Sequence, residues 1–254
     1  MFALERQKLI VDKLKADGAV WVSKLSTEIG VTEETIRRDL EKLEKQELLL
    51  RTHGGAVPLN ENNHEYSLEK RKNEKTDVKQ CLAKEAVKHI VPGDTIFLDA
   101  STTIFYIAKE LKSFKNITII TNSLRILNEL TGEADLKVMV IGGYLSHNQS
   151  LVGSMAEQEV ENRFFANKMF FSSRGVTAEA GILESNEQEC AIKQRMIKNS
   201  TSKFFICDKS KIGRVGFAKL TPLSEIDYMI TEAGLDEDFR QRLKEDKVEL
   251  VELK

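Results

Sequence analysis

From Val91 onward, short apolar runs alternate with helix-length stretches, and this alternation restricts the fold more than any other feature of the chain. The run TIFLD is followed by a helical stretch to Leu111 and NITIIT by another to Leu130; LKVMVIGG, KMFFSS, KFFIC and DYMIT continue the series. Strands separated by helices predict a mainly parallel, Rossmann-like α/β sheet with helices on both faces. In an open sheet of this kind, ligands settle at the carboxyl ends of the strands, where loops and helix N-termini converge.

The N-terminal part reads differently. Residues 4–16 place Leu9, Ile10 and Leu14 on one side among charges, an amphipathic helix ended by Asp17-Gly18. After the β-like AVWV, Ser23 can cap a second helix, Gly30 supplies a left-handed turn residue, and Thr32 can cap a third helix with Ile36, Leu40 and Leu43 inward. LLLRTHGGAV then breaks at Gly54-Gly55 as a β-hairpin. The order helix, strand, helix, turn, helix, wing is that of a winged helix-turn-helix, whose recognition helix enters the major groove. On the third helix Thr35, Arg37, Arg38 and Lys42 face outward, where Arg can grip guanine edges or phosphate and Thr can bond to either. The pairs Glu33–Arg37 and Glu34–Arg38 equally fit an exposed helix laced with i,i+4 ion pairs, and helix chemistry alone leaves both readings open. The neighbouring turn and wing favour DNA.

A chain of 254 residues is long for one domain. We expect a DNA-binding domain over 1–58, a linker and the start of a connecting helix over 59–80, where the composition turns polar and charged, and an α/β domain over 81–254 for effector binding and oligomerisation. The charge-mixed stretch reads as a solvated tether without a ligand role. With 41% hydrophobic and 31% charged residues and no apolar run near the roughly 20 residues that a bilayer needs, the composition is that of a soluble protein. The start, MFALERQKLI, is no secretory signal, so a cytoplasmic protein with no membrane partner is expected. Cys81, Cys190 and Cys207 lie far apart without CxxC spacing, which argues against a disulfide framework or a zinc site; no metal or cofactor is expected. The net charge of -2 gives no vote for nucleic acid; only the placement of charge does.

At the strand ends, Ser101, Thr102 and Thr103 would open a helix and surround an anion with N–H groups and hydroxyls, which suits a phosphate. Asp99 would repel that phosphate but suits sugar hydroxyls, while Arg174 and Lys211 offset its charge. Thr121 and Asn122, Gly142 and Gly143, and Asp208 complete the set of polar or small strand-end residues. Each singly fits a helix cap, a turn or a surface loop; their convergence favours a site.

TIRRDLEKLE followed by RTHGGAV resembles the N-terminal signature of the DeoR family of bacterial transcription regulators. The resemblance implies contact with operator DNA by Thr35, Arg37 and Arg38, with Ser23, Thr32 and Lys42 in support and Arg51 and His53 of the wing along the backbone or minor groove. Glu47 stands where the family commonly has Gly. It covers nearly the whole chain and implies a sensing domain similar to ribose-phosphate isomerases, a phosphorylated sugar or polyol as effector, and a repressor of a carbohydrate operon working as a dimer or tetramer. The family pattern Asp-x-Gly-Thr-Thr appears as Asp99 to Thr103, with Ser101 replacing Gly, and Glu189 and Lys193 match its Glu-x-x-x-Lys; an i,i+4 ion pair accounts for the latter two equally well. The rival reading is a sugar-phosphate isomerase carrying an extra DNA-binding module. Such an enzyme needs an acidic cluster and a glycine-rich lysine loop, yet Ser172 and Ser173 stand where carboxylates are wanted.

Overall fold

The computed structural model describes residues 3–17, 20–46, 48–52, 54–57, 68–216 and 218–253. The chain divides into two compact units, Met1–Tyr66 and Ser67–Lys254. In the first, helix α1 (Ala3–Asp17) leads to strand β1 (Val20–Trp21), helices α2 (Val22–Ile29) and α3 (Glu33–Lys45), and the hairpin of β2 (Leu50–Thr52) and β3 (Gly55–Val57). The order β1-β3-β2 makes a small antiparallel sheet. Ile10 and Leu14 of α1, Leu25 of α2, and Ile36, Leu40 and Leu43 of α3 close one core with Val20 and Ala56.

Gly30, at φ 73°, makes the turn between α2 and α3, and Thr32 caps α3 by accepting the Thr35 N–H at 3.3 Å. The expected cap at Ser23 does not form. Helix α2 starts two residues earlier, directly from β1, and the Val22 N–H donates to the Gly54 carbonyl at 2.9 Å. The wing thus supplies the acceptor that a serine cap would have given. Gly55 is dictated by the same approach, because a Cβ there would lie 1.8 Å from the Val20 carbonyl oxygen. A buried pair absent from the sequence reading, Arg6 with Asp39, ties α1 to α3, and the Gln7 amide donates to the same carboxylate at 2.9 Å.

The second unit opens with α4 (Leu68–Asn73) and α5 (Thr76–Ala86), followed by β4 (Thr95–Leu98), α6 (Ile104–Glu110), β5 (Ile117–Thr121), α7 (Leu124–Leu130) and β6 (Leu136–Val140). A hairpin of β7 (Tyr144–Leu145) and β8 (Leu151–Val152) then leads to α8 (Ser154–Arg163) and β9 (Ala166–Phe171). Next come β10 (Gly175–Thr177), β11 (Gly181–Glu184), α9 (Glu187–Lys198), β12 (Ser200–Ile206) and β13 (Ala218–Thr221). The unit ends on β14 (Tyr228–Glu232), α10 (Glu237–Glu245) and β15 (Glu249–Leu253).

Seven strands form one sheet in the order β15-β14-β12-β9-β4-β5-β6, and every pairing in it is parallel. Along the central strands alternate side chains enter opposite cores. Phe97, Met169, Phe171 and Phe205 pack under α8, α9 and α10, whereas Ile96, Leu98, Phe170 and Phe204 pack under α5, α6 and α7. Burial on both faces explains why these strands read as continuous apolar runs. The sequence reading named six of the seven strands. It missed β15, the β7–β8 hairpin and the antiparallel sheet β10-β11-β13, all built from short or polar segments. Helices α4 and α5 occupy much of the stretch expected as linker, with Leu68, Leu82 and Ala83 buried in the unit that begins at Ser67.

Candidate effector site and DNA-reading surface

In the first unit, the sides of α3 not held in the core present Thr32, Arg37, Arg38 and Lys42 to solvent, with Thr35 half-buried beside its cap. Arg37 pairs with Glu33 at 3.0 Å and Arg38 with Glu34 at 3.2 Å, so both i,i+4 pairs form. The Arg38 side chain is 74% exposed, which keeps the pair weak and the guanidinium available. Ser23 is exposed in the first turn of α2, its carbonyl accepting the Ser26 and Thr27 hydroxyls. Arg51 binds back to α3: its Nε meets Glu44 at 3.1 Å and its N–H donates to the same carboxylate at 3.0 Å. His53 and Glu47 lie outside the described residues.

In the second unit the carboxyl ends of β9, β4 and β5 lie side by side. Lys193 of α9 is buried there, and its ammonium reaches Asp99 at 2.8 Å, Glu184 at 2.6 Å and the Ser172 carbonyl at 2.8 Å. Burial alone would lower its pKa, but Asp99 and Glu184, with Glu189 beyond them, raise it above the ordinary lysine value. Of the two readings that the sequence left open for Glu189 and Lys193, the plain i,i+4 pair does not form, and Lys193 instead bridges α9 to the ends of β4, β9 and β11. Glu189 turns instead to the β7–β8 hairpin, where it accepts the Ser150 hydroxyl and the Ser146 hydroxyl, the latter at 3.3 Å. Burial raises its pKa, opposed by Lys193 and Ser150.

Asp99 is fully buried, with Oδ1 accepting the Ser101 N–H at 2.9 Å and Oδ2 the Ser172 N–H at 3.2 Å as well as Lys193. It organises the loop, a role that the sequence reading did not give it. In the turn that follows, the Ser101 hydroxyl accepts the Ile104 N–H at 3.2 Å and the Ser101 carbonyl accepts the Phe105 N–H. Among the described residues, no hydrogen bond takes up the N–H groups of Thr102 and Thr103. Both residues are buried. Two more buried groups at adjacent strand ends lack a partner: Asn122 Oδ1 and Ser172 Oγ.

The other candidates also bond within the fold. The Thr121 hydroxyl donates to the Leu98 carbonyl at 2.7 Å and accepts the Ser123 N–H, stitching β5 to β4. The Gly142 N–H donates to Glu159, and Gly143, at φ 153°, passes so close to β8 that a Cβ would sit 2.7 Å from the Val152 carbonyl oxygen. Arg174 is buried beyond β9, and its N–H donates to the Leu183 carbonyl. Lys211 donates to the Ser173 carbonyl at 2.8 Å, and Asp208 receives Lys75 at 2.9 Å. Burial opposes ionisation of Asp208, but bonds from Ser210 and Lys75 hold its carboxyl below the usual range.

The expected lack of an acidic cluster needs correcting, since Asp99, Glu184 and Glu189 gather around Lys193. Sequence spacing shows Glu184 and Glu189 five residues apart; only the fold brings Asp99 to them. Each carboxylate is bonded to a lysine, a hydroxyl or an N–H.

Comparison with known proteins decides the family. The profile described as "DeoR-like helix-turn-helix domain" matches residues 6–62, and that described as "DeoR C terminal sensor domain" matches residues 74–233. The chain belongs to the DeoR family of transcriptional regulators. Relatives of this DeoR-family chain include the "Uncharacterized HTH-type transcriptional regulator YulB" of Bacillus subtilis, 38% identical over 99% of this chain and 97% of the relative. The "HTH-type transcriptional repressor GlcR" of the same organism is 30% identical over 99% and 96%. The "Glycerol-3-phosphate regulon repressor" of Escherichia coli is 29% identical over 97% of each chain. These relatives are named as regulators, not enzymes, and this DeoR-family chain is a DNA-binding regulator rather than an isomerase. A solved ribose 5-phosphate isomerase from Methanocaldococcus jannaschii aligns with 56% of each chain at 15% identity and a TM-score of 0.42, too distant to bear on chemistry. Among the described residues, no helix is long and apolar enough to cross a membrane.

Proposed function

We propose that this regulator represses a carbohydrate-metabolism operon in the cytoplasm, and that a phosphorylated sugar or polyol at the carboxyl edge of the sheet releases it from its operator. One observation carries the effector reading: among the described residues, the buried side-chain oxygens Asn122 Oδ1 and Ser172 Oγ lack a partner and lie at strand ends on either side of the turn after β4, where no hydrogen bond takes up the N–H groups of Thr102 and Thr103. Buried polar groups are nearly always satisfied, so a polar ligand is the missing partner. Two N–H groups suit phosphate oxygens, and the two side-chain oxygens suit hydroxyls. The relatives named as a glycerol-3-phosphate regulon repressor and a transcriptional repressor point the same way.

On this reading Arg37 and Arg38 contact bases or phosphates, with Thr32, Thr35, Lys42, Ser23 and the wing residues Arg51 and His53 around them. Ligand binding favours an arrangement of paired subunits in which the recognition helices no longer match the operator, a difference in affinity between two states. The test is operator release by a panel of sugar and polyol phosphates, read on the parent and on Thr102→Glu. The added carboxylate should abolish release, because repulsion replaces attraction at the phosphate position. An unchanged response would remove the phosphate from this turn.

A further inference from the structure

The β7–β8 hairpin forms a two-stranded sheet apart from the seven-stranded one. Its base is packed: Val152 is buried in the same core as Phe97 and Phe171, and Gly143 lies against the Val152 carbonyl. Its first strand is open to solvent, with Tyr144 and Leu145 exposed. An isolated hairpin is only marginally stable, so the place of its tip, residues 146–150, depends on what that tip bonds to.

Toward the candidate site, the bonds run to the end of β5 and the start of α7. The Leu151 N–H donates to the Asn122 carbonyl at 2.7 Å, Asn122 Nδ2 donates to the Leu151 carbonyl at 3.1 Å, and the Leu124 N–H donates to the Gln149 carbonyl at 3.0 Å. The Asn122 amide thus has one end on the hairpin, while its other end, Oδ1, is one of the two oxygens offered to the effector. From α9, Glu189 accepts the hydroxyls of Ser146 and Ser150, which lie 2.7 Å from each other. Glu189 stands one turn before Lys193, the residue that grips Asp99 and the Ser172 carbonyl.

On the far side the tip meets α4. The Arg71 guanidinium donates to Asn148 Oδ1 at 2.6 Å, and the Asn148 N–H donates to the Ser146 hydroxyl at 3.1 Å. Arg71 is itself fixed in the turn from α4 to α5, where its carbonyl accepts the buried Lys79 ammonium. Hydrogen bonds hold distance and direction closely, and a charge-assisted one does so more strongly. A tip drawn toward or away from Asn122 and Glu189 therefore pulls on Arg71.

We propose that the β7–β8 hairpin carries effector binding to α4, with Asn148 as the positioning residue that joins the two. The proposal rests on the effector reading above and leaves the phosphate in the turn after β4. It adds a route from that site, through the Asn122 amide and the hairpin tip, to the first helix of the second unit, which follows the DNA-binding unit in sequence. In energetic terms Asn148 contributes to the coupling between effector and operator, not to the affinity for either alone.

The test separates binding from release in the full chain. The probe is the sugar or polyol phosphate of the panel that releases the parent, with glycerol 3-phosphate tried first. Calorimetry gives its Kd for the free protein, and operator titration with and without saturating probe gives the ratio of the two operator Kd values. In the parent that ratio should be about 5–150. Asn148→Ala, and Arg71→Met, which keeps the backbone carbonyl for Lys79, should bind the probe within about twofold of the parent, yet bring the ratio below about two. Asn148→Asp keeps an acceptor opposite Arg71 and should restore it. A residue that only supports the hairpin would lower the melting temperature or the probe affinity and leave the ratio at the parent value. That outcome overturns the proposal, as does a ratio lost in Asn148→Asp as well. Thr102→Glu is distinguished by its cause, because there release fails for want of probe binding. Failure of every panel compound to release the parent sinks the effector reading, and this proposal with it.

Discussion

At the scale of single residues, magnitudes separate DNA contact from helix stability. The exposed pairs Glu33–Arg37 and Glu34–Arg38 are each worth about 0.3–0.5 kcal/mol, whereas a lost bidentate base contact costs about 1–3 kcal/mol. Arg37→Ala and Arg38→Ala should therefore weaken operator binding roughly tenfold or more at matched salt while barely moving the melting temperature. Parent-like binding in both would place the recognition face elsewhere. Lys193 is the opposite case. Replacing it with Met leaves Asp99 and Glu184 facing each other in a buried space, and we expect a loss of about 3–5 kcal/mol in urea unfolding of the second unit. A change below about 1 kcal/mol would show that the cluster does not need its cation. Such partners are hard to read from sequence, because Asp99 and Lys193 are brought together by the sheet order β9-β4 and not by any helix or strand period. Thr32, Gly30 and the outward residues of α3 were legible because their chemistry is local.

At the scale of elements, the wing is fixed by backbone rather than by side chains. A methyl group on Gly55 would collide with the Val20 carbonyl, while one on Gly54 meets nothing within 4 Å. Gly55→Ala should thus part β3 from β1 and lower both the stability of the first unit and operator affinity; Gly54→Ala should leave both near the parent. Melting curves and operator titrations of the two variants make the comparison, and equal behaviour would contradict the packing. The same contact explains why the Ser23 cap was misread. A serine before an apolar run predicts a cap well when the helix starts from a loop, but α2 starts from a strand, and the Gly54 carbonyl beside that strand accepts its first N–H. Apolar runs buried on both faces, such as MFF in β9, were legible as strands. The pairs of residues in β7 and β8 were too short to carry a period.

At the scale of the whole molecule, one recognition helix reads only a few base pairs, so specific binding calls for paired half-sites and at least a dimer. Sedimentation of the full chain, free and on operator DNA, should show self-association; a monomer in both conditions would defeat the paired-helix account of release. The seven parallel strands carry a practical consequence. With every strand of that sheet running the same way, the connections from helix back to strand, such as Gly132 to Asp135 before β6, fall on the edge away from the candidate effector site. Those returns are places where a reporter protein could be spliced in, turning the regulator into a sugar-phosphate gauge without touching the residues that read either partner.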